Sequence, residues 1–246
     1  MMRLILNGAG GRMGAVVRDL LAERGAELEA EISGGADPAG QGGYAPIQNS
    51  DASGDLILDF SHHSAVNELL PWAAARSLPV VIATTGHTPE ELAKIDEFAK
   101  VIPIFFASNL SMGVALMAQF AKQAAAAFPE ADIEIVETHH NRKLDAPSGT
   151  ALTLAKAVQA GRPGSTIAYG RSGMGKRVPG EITVHALRMG NISGQHEIHI
   201  TTDHQQLTIR HEAYDRVLFA EGAVAAARFL LGKPAGLYGM EDLLNG

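Results

Sequence analysis

Arg3-Leu4-Ile5-Leu6-Asn7-Gly8-Ala9-Gly10-Gly11-Arg12-Met13-Gly14 is the stretch on which the fold turns. Arg3–Asn7 reads as a short buried strand. Ala15–Arg24 reads as an amphipathic helix that stops at Gly25. Between them lies a turn with G-x-G-x-x-G spacing, so the order is strand, glycine turn, helix. That order suits a pyrophosphate site. Gly8 allows the tight turn, Gly10 lets backbone approach the phosphates, Gly11 keeps the turn open, and Gly14 lets the helix pack close to the strand. The free N–H groups at the helix start, with its positive dipole end, attract an anion. A glycine turn alone could serve packing only. In this context dinucleotide binding is the expected role.

The pattern continues outward from that unit up to about residue 107. Ala26–Ile32, residues 55–60, 79–86 and 101–107 read as further strands. Helices are expected over residues 64–76 and from Thr88-Pro89-Glu90-Glu91 onward, where threonine offers an N-cap and proline the first helical position. Continuous apolar strands alternating with helices predict a Rossmann-like, doubly wound parallel sheet covered on both faces. Residues 38–50 read as a surface loop.

The pattern then changes. An alanine-rich helix over 111–127 precedes an alternating strand from Asp132 to Glu137, a helix over 148–160, and a basic glycine-rich stretch at 170–180 expected to be mobile. Three alternating strands follow at 181–189, 195–202 and 206–214, with turns at Gly190-Asn191 and Asp203-His204. This half is expected to be an α+β domain with a mixed or antiparallel sheet. A long helix over 216–231 is expected to return to the first domain. The expected division is therefore 1–107 with 216–246 for the dinucleotide, and 108–215 for substrate binding and oligomerisation.

Composition narrows the function. Of 246 residues, 46% are hydrophobic and 19% charged, as in ordinary globular chains. There is no cysteine, which removes disulfides, thiolate chemistry and cysteine-ligated zinc and suits a cytoplasmic location. No secretory signal or membrane-length apolar run is visible. The formal net charge of −7 argues against a nucleic-acid surface. An anionic ligand must then rely on local cations.

Such cations stand in Glu137-Thr138-His139-His140-Asn141-Arg142-Lys143-Leu144-Asp145-Ala146-Pro147-Ser148-Gly149-Thr150. The segment holds two imidazoles, a lysine and the start of a helix. Successive strand residues point to opposite faces, so a persisting strand shows only one imidazole to a given pocket. Lys143 comes within reach of His139 if the chain bends into a turn. Ser148, Gly149 and Thr150 present hydroxyls and N–H groups at a helix start, where a carboxylate would bind. Taken singly, Ser148 is a cap, Lys143 a surface charge and one histidine a core residue. Their joint placement in a chain with a dinucleotide motif favours an active site. No metal is expected, because His185, His196, His199, His204 and His211 lack H-x-x-x-H spacing with a carboxylate.

This segment resembles the signature of the 4-hydroxy-tetrahydrodipicolinate (dihydrodipicolinate) reductase family, which serves diaminopimelate and lysine biosynthesis. Gly8–Gly14 resembles the family's cofactor loop, including Arg12 and Met13. Asp59-Phe60-Ser61 and Ala83-Thr84-Thr85-Gly86 resemble its nicotinamide-side strand ends. Residues 106–114 resemble the segment joining the two domains, and Arg188–His196 its Arg-x-Gly-x-x-x-Gly-x-His run. The resemblance implies NADH or NADPH as cofactor, with Phe60, Ser61, Ala83, Thr84, Thr85, Ser108, Asn109 and Leu110 among its contacts. It implies a small dicarboxylate ring as substrate, held by His140, Lys143, Ser148, Gly149 and Thr150. His139 would be the proton donor or its close partner, with Lys143 also catalytic. A homotetramer built through the C-terminal sheet is implied as well.

One position departs from a common dinucleotide pattern. An acid often stands at the end of the second strand, where it meets the adenosine ribose. Here Ile32-Ser33-Gly34-Gly35-Ala36-Asp37 occupies that region. Ser33 stands in place of the acid, able to accept a 2′-phosphate, unless Asp37 loops back. The lost acid favours NADPH relative to acid-bearing members, and the preference stays open.

Overall fold

The computed structural model describes all residues from Met1 to Gly246. In chain order the elements are β1 (Met2–Asn7), α1 (Arg12–Arg24), β2 (Ala30–Ala36), β3 (Leu56–Asp59), α2 (Val66–Ala74), β4 (Val80–Ile82), α3 (Pro89–Phe98), β5 (Pro103–Phe106), α4 (Met112–Ala127), β6 (Asp132–His139), α5 (Gly149–Gly161), β7 (Thr166–Tyr169), β8 (Glu181–Arg188), β9 (Gly194–Thr201), β10 (Gln206–Ala213), α6 (Val217–Leu230), β11 (Gly236–Tyr238) and α7 (Met240–Asn245). They form two compact units: Met1–Ser111 with Arg216–Gly246, and Met112–Asp215. The chain leaves the first unit after Ser111 rather than after the expected residue 107. The cause is Leu110, which is buried in the first unit's own core.

The first unit holds a six-stranded sheet in the order β11-β5-β4-β3-β1-β2, parallel throughout. Its strands read as unbroken apolar runs because each face meets a different core. Leu4, Leu6, Leu56, Leu58, Val81 and Phe105 pack with Val17 and Leu20 of α1 and Ala223 and Leu230 of α6. The intervening Ile5, Ile57, Val80, Ile82 and Ile104 pack with Leu69 and Leu70 of α2 and Ile95 of α3. Fully burying one such side chain contributes about 1.5–3 kcal/mol. The doubly wound sheet is therefore written in the alternation of two cores.

β1 lies between β3 and β2, so the strand order reverses at the C-terminal end of β1. Open parallel sheets bind ligands at such a point. The second strand begins at Ala30, four residues beyond the expected Ala26 and running to Ala36 rather than to Ile32. Residues 26–29 are spent on a turn, in which Glu29 adopts a positive φ of 49°. Thr88 caps α3 as expected, in a reciprocal capping box with Glu91.

The second unit holds a mixed sheet in the order β10-β9-β6-β8-β7. β6 pairs antiparallel with β9 and parallel with β8. One face packs on α4 and α5 through Ile133, Ile135, Ile182, Ile198, Met117 and Leu154. Within residues 170–180, expected to be mobile, two arginines form ion pairs with the sheet. Arg171 meets Glu181 at 2.5 Å, and Arg177 meets Asp132 at 2.7 Å and also pairs with Glu134. β7 and β11 were not expected, since four and three residues are too few to show a period.

Candidate active site

Two sites are built on the two units. In the first unit, Gly8 carries the turn after β1 with a φ of 85°. α1 then starts from Gly11 with no side-chain cap, so its leading N–H groups suit an anion. Arg12 is exposed and Met13 half-buried at this start, and Gly14 is buried. Gly10 has a second reason to be glycine: a Cβ there would stand 2.3 Å from the Gln41 carbonyl oxygen. The loop after β2 thus packs directly on the turn.

Asp37 organises that loop. It closes β2 and is 4% exposed. Its carboxylate accepts the N–H groups of Gly10 at 3.2 Å, Ala39 at 2.9 Å and Gln41 at 3.2 Å. Ser33, expected to meet the cofactor, instead lies in mid-strand. Its hydroxyl donates to the Ser53 carbonyl at 2.7 Å and approaches the Leu4 carbonyl at 3.3 Å. Asp37 is thus the acid that follows β2, while Ser33 lies inside the strand because β2 runs from Ala30 to Ala36.

At the sheet's reversal point, Asn7 and Asp59 end β1 and β3 side by side, both fully buried. Asn7 donates to Asp59 Oδ1 at 2.9 Å. Ser61 donates to the same oxygen through its N–H at 3.2 Å and its hydroxyl at 2.5 Å. Asp59 Oδ2 has no partner. Burial pushes the Asp59 carboxyl up to about 6, against the pull of Ser61 and Asn7. Half-buried Phe60 and Ser61 follow β3, and Ala83, Thr84 and exposed Thr85 follow β4. Thr84 is buried, with its hydroxyl 3.1 Å from His87 Nε2. Ser108 is exposed, and the Asn109 side chain accepts the Ser111 N–H at 2.8 Å. An uncapped helix start, a glycine turn and an acid at the end of β2 fit a dinucleotide.

In the second unit the strand β6 persists through His139. Ile133, Ile135, Glu137 and His139 therefore share one buried face. His139 Nδ1 lies 2.5 Å from Glu137 Oε2. The half-buried His140 comes just past the strand, and its N–H donates to the Ile192 carbonyl at 2.8 Å. The chain then bends: Lys143 N–H donates back to the His140 carbonyl at 3.1 Å. The Lys143 ammonium meets Asp145 Oδ1 at 2.9 Å, and this partner keeps the Asp145 carboxyl low despite partial desolvation.

Pro147 and Ser148 lead into α5. Ser148, expected to contact substrate, also holds the turn through its own bonds. Its N–H donates to Glu137 Oε1 at 3.0 Å, and its hydroxyl caps Ala151 N–H at 3.2 Å while lying 3.3 Å from His196 Nε2. Ser148 thus holds the turn at the start of α5. Gly149 and Thr150 open the helix ahead of its first backbone bond, from Leu152 N–H to the Ser148 carbonyl. A Cβ on Gly149 would meet nothing within 4 Å, so this face is open.

Glu137, Arg188 and His196 had been given no role. Glu137 is 0% exposed and accepts Arg188 through both oxygens, at 2.8 and 2.9 Å. Burial raises its carboxyl, but His139, Arg188 and the Ser148 N–H outweigh burial and bring it to about 2. Burial lowers His196 to about 4, with help from His139. The clue in the sequence was the two-residue spacing of Glu137 and His139 on a strand. No three His, Cys, Asp or Glu side chains gather as a metal site, and no helix is long and apolar enough to cross a membrane.

A parallel dinucleotide fold, joined in one chain to a second unit with a buried histidine, a lysine and a helix start, defines a nicotinamide-dependent reductase of two-unit design. Family models for dihydrodipicolinate reductase match both parts, the N-terminus over residues 2–110 and the C-terminus over residues 113–244. The chain belongs to the dihydrodipicolinate reductase family. It is 42% identical over 251 residues to 4-hydroxy-tetrahydrodipicolinate reductase of Caldanaerobacter subterraneus subsp. tengcongensis, covering 100% of this chain and 99% of the relative. It is 38% identical over 251 residues to the enzyme of that name from Clostridium novyi, covering 100% and 99%. Among solved structures, dipicolinate-bound dihydrodipicolinate reductase from Paenisporosarcina sp. TG-14 superposes with a TM-score of 0.79 at 26% identity, over 98% of this chain and 99% of that one.

Proposed function

We propose a division of labour within the reduction that this family performs. The chain is an NAD(P)H-dependent oxidoreductase that converts 4-hydroxy-tetrahydrodipicolinate (dihydrodipicolinate) to tetrahydrodipicolinate, in diaminopimelate and lysine biosynthesis. Its substrate is a small dicarboxylate ring, the class to which the dipicolinate bound by the solved relative belongs.

The dinucleotide supplies a hydride when bound. In our reading Gly8, Gly10, Gly11, Arg12, Met13 and Gly14 hold its pyrophosphate. Phe60, Ser61, Ala83, Thr84, Thr85, Ser108, Asn109 and Leu110 line its nicotinamide side. Asp37, in place of Ser33, faces the adenosine ribose. A buried carboxylate there opposes a 2′-phosphate by like-charge repulsion, so we assign a preference for NADH.

In the second unit, His139 delivers the proton to the ring carbon beside the one that takes the hydride. Lys143 offsets the charge of the ring nitrogen and carboxylates, releasing Asp145 when substrate arrives. Ser148, Gly149 and Thr150 hold one carboxylate on the helix start, and His140 lines the ring. The observation that carries this reading is Glu137, which binds His139 at 2.5 Å and the Ser148 N–H at 3.0 Å. It ties the proton carrier and the anion-binding turn into one unit.

The proposal extends to a cytoplasmic homotetramer. Leu187, Met189 and Leu207 of the second unit are 42–53% exposed and Tyr214 86%, leaving apolar surface for another copy to cover. Light scattering should return four times the 25.9 kDa chain mass. The test of activity is oxidation of NADH and NADPH, with the ring generated from pyruvate and aspartate semialdehyde by the preceding synthase. Turnover that needs the synthase is expected. Cofactor binding without turnover would overturn the assignment.

A further inference from the structure

The Arg188–His196 run has no part in the reaction as described so far, yet its residues converge on His139. The strand register explains how. His139 lies opposite Arg188 of β8, and Glu137 lies opposite His196 of β9. Arg188 reaches back to grip Glu137 and also donates to the Asp145 carbonyl at 2.6 Å. Gly194 stands against the other side of the imidazole, where a Cβ would come within 3.1 Å of His139 Nε2.

We infer that Glu137 is a positioning residue that fixes the tautomer of His139, with Arg188 as its clamp and Gly194 as the opening for Nε2. The inference rests on the reductase reading for its place in catalysis, but its geometry stands apart from it. The Glu137 carboxylate receives two Arg188 nitrogens and the Ser148 N–H, and so has no proton to offer. His139 Nδ1, at 2.5 Å, must therefore carry the hydrogen of that bond. The nitrogen that gains and loses a proton is then Nε2. It donates as imidazolium and keeps a lone pair afterwards, while Nδ1–H stays on Glu137 throughout. A side chain at position 194 would fill the space that Nε2 needs.

Arg188 gives the arrangement a second consequence. By binding both Glu137 and the Asp145 carbonyl, it couples the imidazole to the loop that carries Lys143. The same carboxylate holds the first turn of α5 through Ser148. Proton donor, cation and carboxylate site are thus fixed to one buried anion.

The test is a substrate-free long-range 15N–1H spectrum of the His139 imidazole in the full-length protein, beside steady-state rates for Glu137→Gln and Glu137→Asp. We expect the neutral ring of the wild type to be protonated on Nδ1, and the preference to weaken in Glu137→Gln. Turnover of Glu137→Gln should fall about 10²-fold, the usual size for disabling a positioned proton carrier. Glu137→Asp should recover part of it, and NADH affinity should stay within twofold. A wild-type ring protonated on Nε2, or a Glu137→Gln rate within twofold of wild type, would overturn the inference. If Glu137→Gln fails to fold, the wild-type spectrum decides alone. Failure of the reductase reading looks different: the wild type would not turn over the ring substrate, whatever tautomer the spectrum shows.

Discussion

Asn7 and Asp59 end adjacent parallel strands, and the Asn7 amide donates to one Asp59 oxygen at 2.9 Å while the other oxygen is buried without a partner. The pair marks where the strand order reverses, and its strain is electrostatic. Burial raises the Asp59 carboxyl from 3.8 to about 6. Between these values the folded protein holds a proton that the unfolded chain has released. This contribution to stability is present in full below about pH 3.8 and is lost as pH rises through about 6, leaving a cost of about 3 kcal/mol. Asp59→Asn should therefore be more stable than wild type at pH 8 by up to that amount, and the gap should close towards pH 4. Urea unfolding at the two pH values checks it; a constant gap would remove Asp59 as the cause.

Asp37 sets the second expectation. Wild type should bind NADH more tightly than NADPH. Asp37→Ala should move the ratio of the two dissociation constants towards NADPH by about tenfold, the size of one like-charge contact removed. Fluorescence titration of each cofactor measures the ratio directly. An unchanged ratio would mean that Asp37 serves only to hold the Gln41 loop.

His139→Ala and Lys143→Ala should each lower turnover by about 10²–10⁴-fold, as for other positioned acids and charges. They should differ in KM. Lys143→Ala should raise KM for the ring substrate, because a cation that faces carboxylates is lost, whereas His139→Ala should act mainly on kcat. Initial-rate curves separate the two, and equal effects on KM would merge the roles.

Thr88 and Glu91 form the reciprocal cap of α3, and Glu91 also binds His63 at 2.8 Å. Thr88→Ala should cost about 1 kcal/mol, and thus lower the melting temperature by about 2–4 °C, with turnover unchanged. Calorimetry beside an activity assay would show a larger loss if Thr88 also supports the loop after β4.

Much of this was legible in the chain because its signals were local. The glycine turn, the α3 cap and the apolar strands each depend on neighbours within a few residues. β2 starts later than its apolar pattern predicts because the turn at 26–29 carries no glycine or proline beyond Gly25, so Ser33 falls inside the strand and Asp37 just after it. Ser148 could be recognised as a cap, but its bond to Glu137 crosses 11 residues and its contact with His196 crosses 48. Arg188 meets Glu137 only through the pairing of β6 with β8. Register between distant strands is a tertiary fact, so the buried anion at the centre of the site was invisible until the strands were paired.

The division of the chain has a consequence for its birth on the ribosome. The first 111 residues emerge early but lack α6, whose alanine face fills one of their two cores, and β11, which pairs beside β5. Both belong to Arg216–Gly246, on the far side of the inserted unit. The half that carries the glycine turn must therefore wait, with an open sheet edge and an uncovered apolar face, while some hundred residues of its companion are made. The segment made after the inserted unit is the one that closes the first.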